Sequence, residues 1–317
     1  MAYKILISDK IEPVCSERFR EAGYHADERS GLSREELLSV VGDYHGLVVR
    51  SATKVDSDVL RRGAGGNLKI VGRAGAGLDN VDVAAASALG VRVVNTPGLN
   101  ANAVAELVVA LMIALSRHLW PAMESMKAGR WEKKGLAGHE IRGKTLGLLG
   151  LGAVGGLVAA KGIGLGMKVL ASDPLLDDAK IASLGVGPAG FEELFASSDY
   201  ISLHLPLVPG TADIVDSRAL ALVKPGAYLI NCARGGLVEE AALLDALREK
   251  RLAGAAVDVY RSEPPDPSPL MSLPNFVAVP HLGASTVEAQ LAVAGEVADL
   301  VVNFLDESGG PSGSGRA

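Results

Sequence analysis

The sequence predicts an α/β protein built from two doubly wound parallel sheets, and three observations carry that expectation. Strand-like and helix-like signals alternate from residue 4 to 95. A second series of the same kind runs from Thr145 to Val279. Near its start an apolar run, a glycine-rich turn, a helical stretch, a second apolar run and an acid follow in that order. Alternation of this kind builds parallel sheets with helices on their faces. A chain of 317 residues is also long enough for two domains, each with its own core.

In the first series, strands are expected at 5–8, 46–50, 70–73 and 91–95, with a short one near 24–27. Amphipathic stretches near 13–22, 33–41, 56–62 and 82–89 lie between them. Ligands of open parallel sheets sit at the carboxyl ends of the strands. Polar or glycine-rich segments occupy those ends here: Asp9, the run from Arg50 to Thr53, the run from Arg73 to Gly77, and Asn95 to Pro97. A helix from about 102 to 119 follows, with Asn100 or Asn102 as its cap. It is apolar almost all round and should be buried between domains or against another subunit. Residues 120–142 hold a mixed Trp, Lys and Arg segment that reads as an exposed excursion.

Thr145 to Leu149 suits a buried parallel strand. Gly150, Gly152 and Gly155 then stand as G-x-G-x-x-G, and helical spacing continues to Lys161. The first glycine permits the tight turn, the second lets the backbone approach a pyrophosphate, and the third lets helix and strand pack closely. A second strand, Met167–Ser172, ends on Asp173, 18 residues beyond Gly155. An acid there accepts hydrogen bonds from a ribose and repels a 2′-phosphate. The whole succession points to a dinucleotide.

Further strands are expected at 200–205, 228–232, 255–260 and 276–279, with helices near 217–222 and 239–250. Three of these strands end on chemistry. Arg234 follows one beside two glycines, where its planar fork can clamp a carboxylate. Glu263 follows the next, and His281 the last. An imidazole and a carboxylate at neighbouring strand ends form an acid/base unit, the carboxylate holding the ring tautomer. With a dinucleotide fold, hydride transfer is the economical chemistry. His204 lies at another strand end and reads as structural or cofactor-lining. A final helix over 286–305 would return to the first sheet, making that domain discontinuous: 1–98 plus 286–307, with 99–285 inserted. The Gly/Ser-rich residues 308–317 read as a disordered tail.

Composition narrows the classes. Hydrophobic residues make 48% of the chain and aromatics only 4%, so small aliphatic side chains must do the packing. A net charge of −6 disfavours a nucleic-acid partner. Two cysteines, Cys15 and Cys232, are too few for a disulfide framework and point to a reducing compartment. With no leader-like start and no membrane-length apolar run, a cytoplasmic protein is expected. The histidines show no metal-binding spacing, so no metal is expected.

The strings V-V-R-S-A-T at 48–53, V-G-R-A-G-A-G-L-D-N-V-D at 71–82 and N-T-P-G-L-N-A-N-A-V-A-E at 95–106 resemble the D-isomer-specific 2-hydroxyacid dehydrogenases. So do G-L-G-A-V-G at 150–155, S-D-P at 172–174, N-C-A-R-G-G-L-V at 231–238 and V-P-H-L-G-A-S-T at 279–286. The strings at 71–82 and 279–286 favour the branch of that family acting on 3-phosphoglycerate. The resemblance implies a Rossmann cofactor domain inserted in a flavodoxin-like substrate domain, and NAD as the cofactor. It implies that Arg234 orients the substrate, that His281 is the acid/base and that Glu263 supports it. NAD contacts would come from Gly150, Gly152, Ala153, Val154, Gly155, Asp173 and Pro174. Others would come from His204, Leu205 and Pro206 at one strand end, and from Cys232, Ala233, Asp258 and Gly283 at the others. Arg50, Ser51, Arg73, Ala74, Gly75 and Asn100 would line the substrate site, with Lys133 reaching it from the partner of a homodimer. Gly156 and Leu205 depart from the residues common in relatives, and the chain is expected to be a short form without an appended regulatory domain. The alternatives are a glyoxylate or hydroxypyruvate reductase and an NAD-sensing, corepressor-like binding protein.

Overall fold

The computed structural model describes residues 2–309. The expected disordered tail lies outside the described residues from position 310 onward, and Ser308 and Gly309 form a turn. The chain divides into two compact units. One comprises the residues up to Asn100 together with those from Thr286 onward, and the other is Ala101–Ser285.

The first unit holds a five-stranded parallel sheet of β1 (Lys4–Ile7), β2 (His25–Glu28), β3 (Gly46–Val49), β4 (Ile70–Arg73) and β5 (Arg92–Asn95), in the order β2-β1-β3-β4-β5. Its strands are four residues each, and β1 and β3 are almost wholly buried, as short central parallel strands must be. The closing helix, which we number α12 (Val287–Glu307), starts from Thr286, whose hydroxyl accepts the Ala289 amide at 3.2 Å. Its buried stripe of Val293, Ala294, Val297, Ala298, Val301 and Leu305 packs with Ile5, Ile7, Phe19, Val48 and Ile70. The spacing is the 3.6-residue period of one helix face, which is why a segment 190 residues away can complete this core.

The second unit opens with α5 (Ala101–Ser116) and α6 (Leu119–Lys127), which follow α1 (Val14–Glu21), α2 (Arg34–Val40), α3 (Ser57–Ala64) and α4 (Val83–Ala88) along the chain. Its seven parallel strands are β6 (Thr145–Leu149), β7 (Lys168–Ser172), β8 (Gly187–Pro188), β9 (Tyr200–Leu203), β10 (Ala227–Asn231), β11 (Leu252–Val257) and β12 (Phe276–Ala278). They run in the order β12-β11-β10-β9-β6-β7-β8. The chain leaves β6 toward β7 on one side and reaches β9 on the other, so the topological switch point lies between the carboxyl ends of β6 and β9.

Three expectations need correction. Asn102, weighed as a cap for the long helix, lies inside α5, where its side chain donates to Glu106 and accepts from Lys161 Nζ. Within its own unit that helix shares a core: Val108, Leu111, Met112 and Leu115 pack with Leu146, Val158 and Tyr228. It stops at Ser116 because His118 turns left-handed (φ 49°), and α6 then occupies the start of the supposed excursion. Between Asp173 and Tyr200, helices at Asp178–Ser183 and Phe191–Ser197 and the two-residue β8 fill a stretch to which the sequence assigned no element. Among the described residues, no single helix is long and apolar enough to cross a membrane.

Candidate active site

The glycine turn sits at the switch point of the seven-stranded sheet. Gly150 follows β6 with φ +98°, and a Cβ there would lie 2.9 Å from the carbonyl of His204, which follows β9. A Cβ at Gly155 would lie 2.3 Å from the Gly150 oxygen, so the helix that starts here, α7 (Ala153–Gly164), approaches the turn as closely as backbone allows. By contrast, a Cβ on Gly152 or Gly156 would meet nothing within 4 Å. Gly152 is the N-cap and brings no side-chain cap, so the first-turn amides of Ala153 and Val154 take their partners from outside the helix. Such a cradle suits a pyrophosphate.

Asp173 closes the same loop. One carboxylate oxygen accepts the Leu151 amide at 2.7 Å and the other the Leu175 amide at 2.9 Å. Each oxygen keeps lone pairs for a ribose hydroxyl. Pro174 beside it is exposed. The ring of His204 has its Nε2 buried without a hydrogen-bond partner among the described residues, and burial lowers its pKa to about 4. A neutral ring with an unmatched polar atom at the switch point suits a residue that a bound cofactor completes. Leu205 lines the Gly150 turn, and Pro206 is exposed with its carbonyl held by the Thr211 hydroxyl at 2.6 Å. The residues present therefore fit a dinucleotide.

Three neighbouring strand ends carry the candidate chemistry. The register Asn231↔Val257↔Ala278 sets the ends of β10, β11 and β12 side by side. Arg234 stands three residues past β10. The buried Asn231 side chain shapes its segment, donating to the Arg234 carbonyl at 2.8 Å and accepting the Ala233 amide at 3.1 Å. Asp258 follows β11 directly and is fully buried. Its two oxygens accept the amides of Leu282 (2.5 Å) and Gly283 (2.8 Å). Burial raises its carboxyl above the usual range, and those two amides offset part of the rise. Asp258, expected as a cofactor contact, thus has a structural use that sequence did not reveal.

His281 is held by what surrounds it. Its backbone is left-handed (φ 53°), an uncommon conformation for a residue with a Cβ. The amides of the next two residues are pinned by Asp258, which stabilises that turn. The ring Nδ1 meets Glu263 Oε2 at 2.7 Å, leaving Nε2 for a substrate. Glu263 uses its other oxygen to accept the Tyr260 amide at 3.2 Å. Tyr260 also donates its hydroxyl to the Val279 carbonyl at 2.8 Å, and the His281 amide donates to that same carbonyl at 3.1 Å. One tyrosine therefore braces both members of the pair. Sequence reading passed it over, because a tyrosine near a strand end ordinarily reads as core.

Cys232 and Ala233 lie in the Arg234 segment. Burial raises the Cys232 thiol far above its usual range and Cys15 to about 12, so neither is a ready nucleophile. Among the described residues no group of three His, Cys, Asp or Glu is placed to hold a metal.

In the first unit, Asp9 organises the turn after β3. Its carboxylate accepts the Arg50 amide at 2.6 Å, the Thr53 amide at 3.2 Å and the Thr53 hydroxyl at 2.6 Å. Arg50 reaches the Lys10 carbonyl at 3.4 Å, and Ser51 is exposed. After β4, Ala74 is buried, and Gly75 and Thr96 bond each other reciprocally. The Arg73 guanidinium folds over Gly75, where a Cβ would collide with it, and donates to the Ala74 carbonyl at 3.5 Å. Asn100 is half-buried, and Lys133 is exposed on the segment after α6.

The chain is 44% identical to D-3-phosphoglycerate dehydrogenase of Rattus norvegicus over 98% of its length and 58% of that protein. It is 48% identical to the enzyme of that name from Mycobacterium leprae, over 86% of the chain and 51% of the relative. The chain thus spans a little over half the length of these relatives. The structure of NAD+-bound 3-phosphoglycerate dehydrogenase from Entamoeba histolytica superposes with a TM-score of 0.82 at 28% identity, covering 98% of this chain and 97% of that one. Residues 109–283 match the family described as D-isomer specific 2-hydroxyacid dehydrogenase, NAD binding domain. With the glycine cradle, the tethered acid and the Glu263–His281 pair on one parallel sheet, the chain belongs to the D-isomer specific 2-hydroxyacid dehydrogenases and carries their NAD-binding domain.

Proposed function

We propose that the protein oxidises D-3-phosphoglycerate to 3-phosphohydroxypyruvate, the entry step of serine biosynthesis. The observation that carries the reading is the 2.7 Å contact between Glu263 and His281 Nδ1, which fixes the ring with Nε2 turned to other use. When bound, NAD supplies the acceptor for the C2 hydride. His281 Nε2 takes the C2 hydroxyl proton as that hydride leaves, and returns it in the reverse direction. Arg234 clamps the carboxylate and polarises the C2 oxygen, since its guanidinium stays charged. Glu263 holds the ring tautomer throughout, and Asp173 favours the free ribose of NAD over the phosphorylated ribose of NADP.

A phosphorylated acid has two anionic ends, and Arg234 serves one. Arg50, Arg73 and Lys133 of a partner subunit are the cations assigned to the 3-phosphate. The partner would be a second copy docking on α6, where Trp120, Met123 and Met126 are each about half exposed. The two cysteines are buried thiols, which suits the cytoplasm.

One observation favours a second reading. Arg73 is engaged by its own glycine turn, which leaves fewer cations for a phosphate and suits a reductase of glyoxylate or hydroxypyruvate. A panel of 2-hydroxy and 2-oxo acids, with and without a 3-phosphate, assayed with NAD and NADP, separates the two. Preference for the phosphorylated acid with NAD supports the first reading, and preference for glyoxylate transfers it to the second.

A further inference from the structure

A cavity of about 430 Å3 lies within the second unit, beneath the loop that carries Glu263. Asn231 at the end of β10 and Val257 at the end of β11 line it, together with Leu243, Leu270 and Phe276. Pro265, Pro267 and Pro269 stiffen the segment that lines it, because proline fixes one backbone angle. Its volume lies in the range of small-molecule sites.

The charges at its mouth are unequal. Arg261 is already paired with Asp213. Glu240 and Asp266 line the same opening and are exposed. A ligand entering here meets mostly apolar side chains, the Phe276 and Tyr260 rings among them, and a net negative opening. Its chemistry is therefore an uncharged ring carrying a cationic nitrogen.

The cavity also touches the parts that set the catalytic geometry. Tyr260 lines it, and the same residue holds Glu263 through its amide and the Val279 carbonyl through its hydroxyl. Asn231, which shapes the Arg234 segment, forms another part of the wall. We propose that this cavity is a regulatory site for a small aromatic amine, whose occupancy is read by the Glu263–His281 pair through Tyr260. The regulatory sense rests on the dehydrogenase reading, whereas binding does not.

Benzylamine, benzyl alcohol and benzoate share one shape and differ in charge, so they serve as probes on the full chain with NAD. Ligand-observed NMR titration should show benzylamine binding in the millimolar range expected for so few atoms. Benzyl alcohol should bind about two- to fivefold more weakly, the range of one exposed charge pair, and benzoate weakest. The double variant E240Q/D266N should bring benzylamine and benzyl alcohol to equal affinity. Met271→Trp at the exposed rim should block all three, and Ser262→Trp repeats the block should the first variant fold poorly. Benzylamine should also move the His281 ring resonances, assigned with His281→Gln, and lose that effect when either block is in place. This readout needs no turnover, so it stands apart from the substrate panel. Benzoate binding as tightly as benzylamine, benzylamine binding that survives both blocks, or unmoved His281 resonances at saturation would overturn the proposal.

Discussion

The buried carboxylate of Asp258 receives the backbone amide of Leu282 at 2.5 Å, one residue beyond the left-handed His281. Its other oxygen takes the Gly283 amide, so both oxygens serve the loop that presents the imidazole. Asp258→Asn would turn an NH2 group toward one of those amides and leave it buried without an acceptor. We expect a stability loss of about 1–3 kcal/mol in urea unfolding, with a fall in kcat larger than any rise in KM for NAD. A variant of unchanged stability and strongly weakened NAD binding would return Asp258 to a cofactor role.

For the pair itself, His281→Ala should lower kcat by roughly 10²–10⁴ if the ring is the general acid/base. Glu263→Gln keeps a hydrogen-bonding group beside Nδ1 but removes the charge, so its loss should be smaller. Steady-state rates on 3-phosphoglycerate check both, and a full-rate His281→Ala enzyme would refute the assignment.

Asp173 is expected to set cofactor choice and loop order together. Asp173→Ala removes a negative charge from the ribose position and also frees the Leu151 and Leu175 amides. The preference for NAD over NADP should narrow, while KM for NAD rises because the glycine turn loosens. Comparing kcat/KM for the two cofactors tests this; a wild-type preference for NADP would refute it.

His204 gives a pH dependence with a defined sign. Its folded pKa of about 4 lies below the 6.5 of an unperturbed histidine, because burial opposes the charged ring. Between those values the unfolded chain binds the extra proton, so this contribution to stability is present above about pH 6.5 and fades toward pH 4. The amount is about 3 kcal/mol. Urea unfolding of the wild type and of His204→Gln at pH 6.5 and pH 4.5 should show the variant losing less on acidification. Equal losses would mean that His204 is not titrating as an isolated buried ring.

Arg73 and Lys133 separate the two substrate readings. Either replacement by Ala should raise KM for 3-phosphoglycerate while barely changing turnover of small unphosphorylated 2-oxo acids. Arg73→Ala should also lower thermal stability slightly, since the guanidinium lies against the Gly75 turn. Equal losses on both substrate types would favour the reductase reading.

The sequence by itself determined the strand–helix rhythm, the glycine cradle and the three strand ends bearing Arg234, Glu263 and His281. Those features are local: a period of 2 or 3.6, a glycine where a side chain would collide, a polar residue just past an apolar run. The short elements between Asp173 and Tyr200 carried too little periodicity to be read. Other features depended on residues far apart in the chain. Only the tertiary structure decided that α5 packs within its own unit, that Arg73 folds onto its own turn, that Asp9 ties down the Arg50 turn, and that Asp258 and Tyr260 brace His281 and Glu263. The physical reason is the sheet register, which brings β10, β11 and β12 side by side although their sequences are separated. A hydrogen bond across that register reveals a positioning residue, and no spacing along the chain records it.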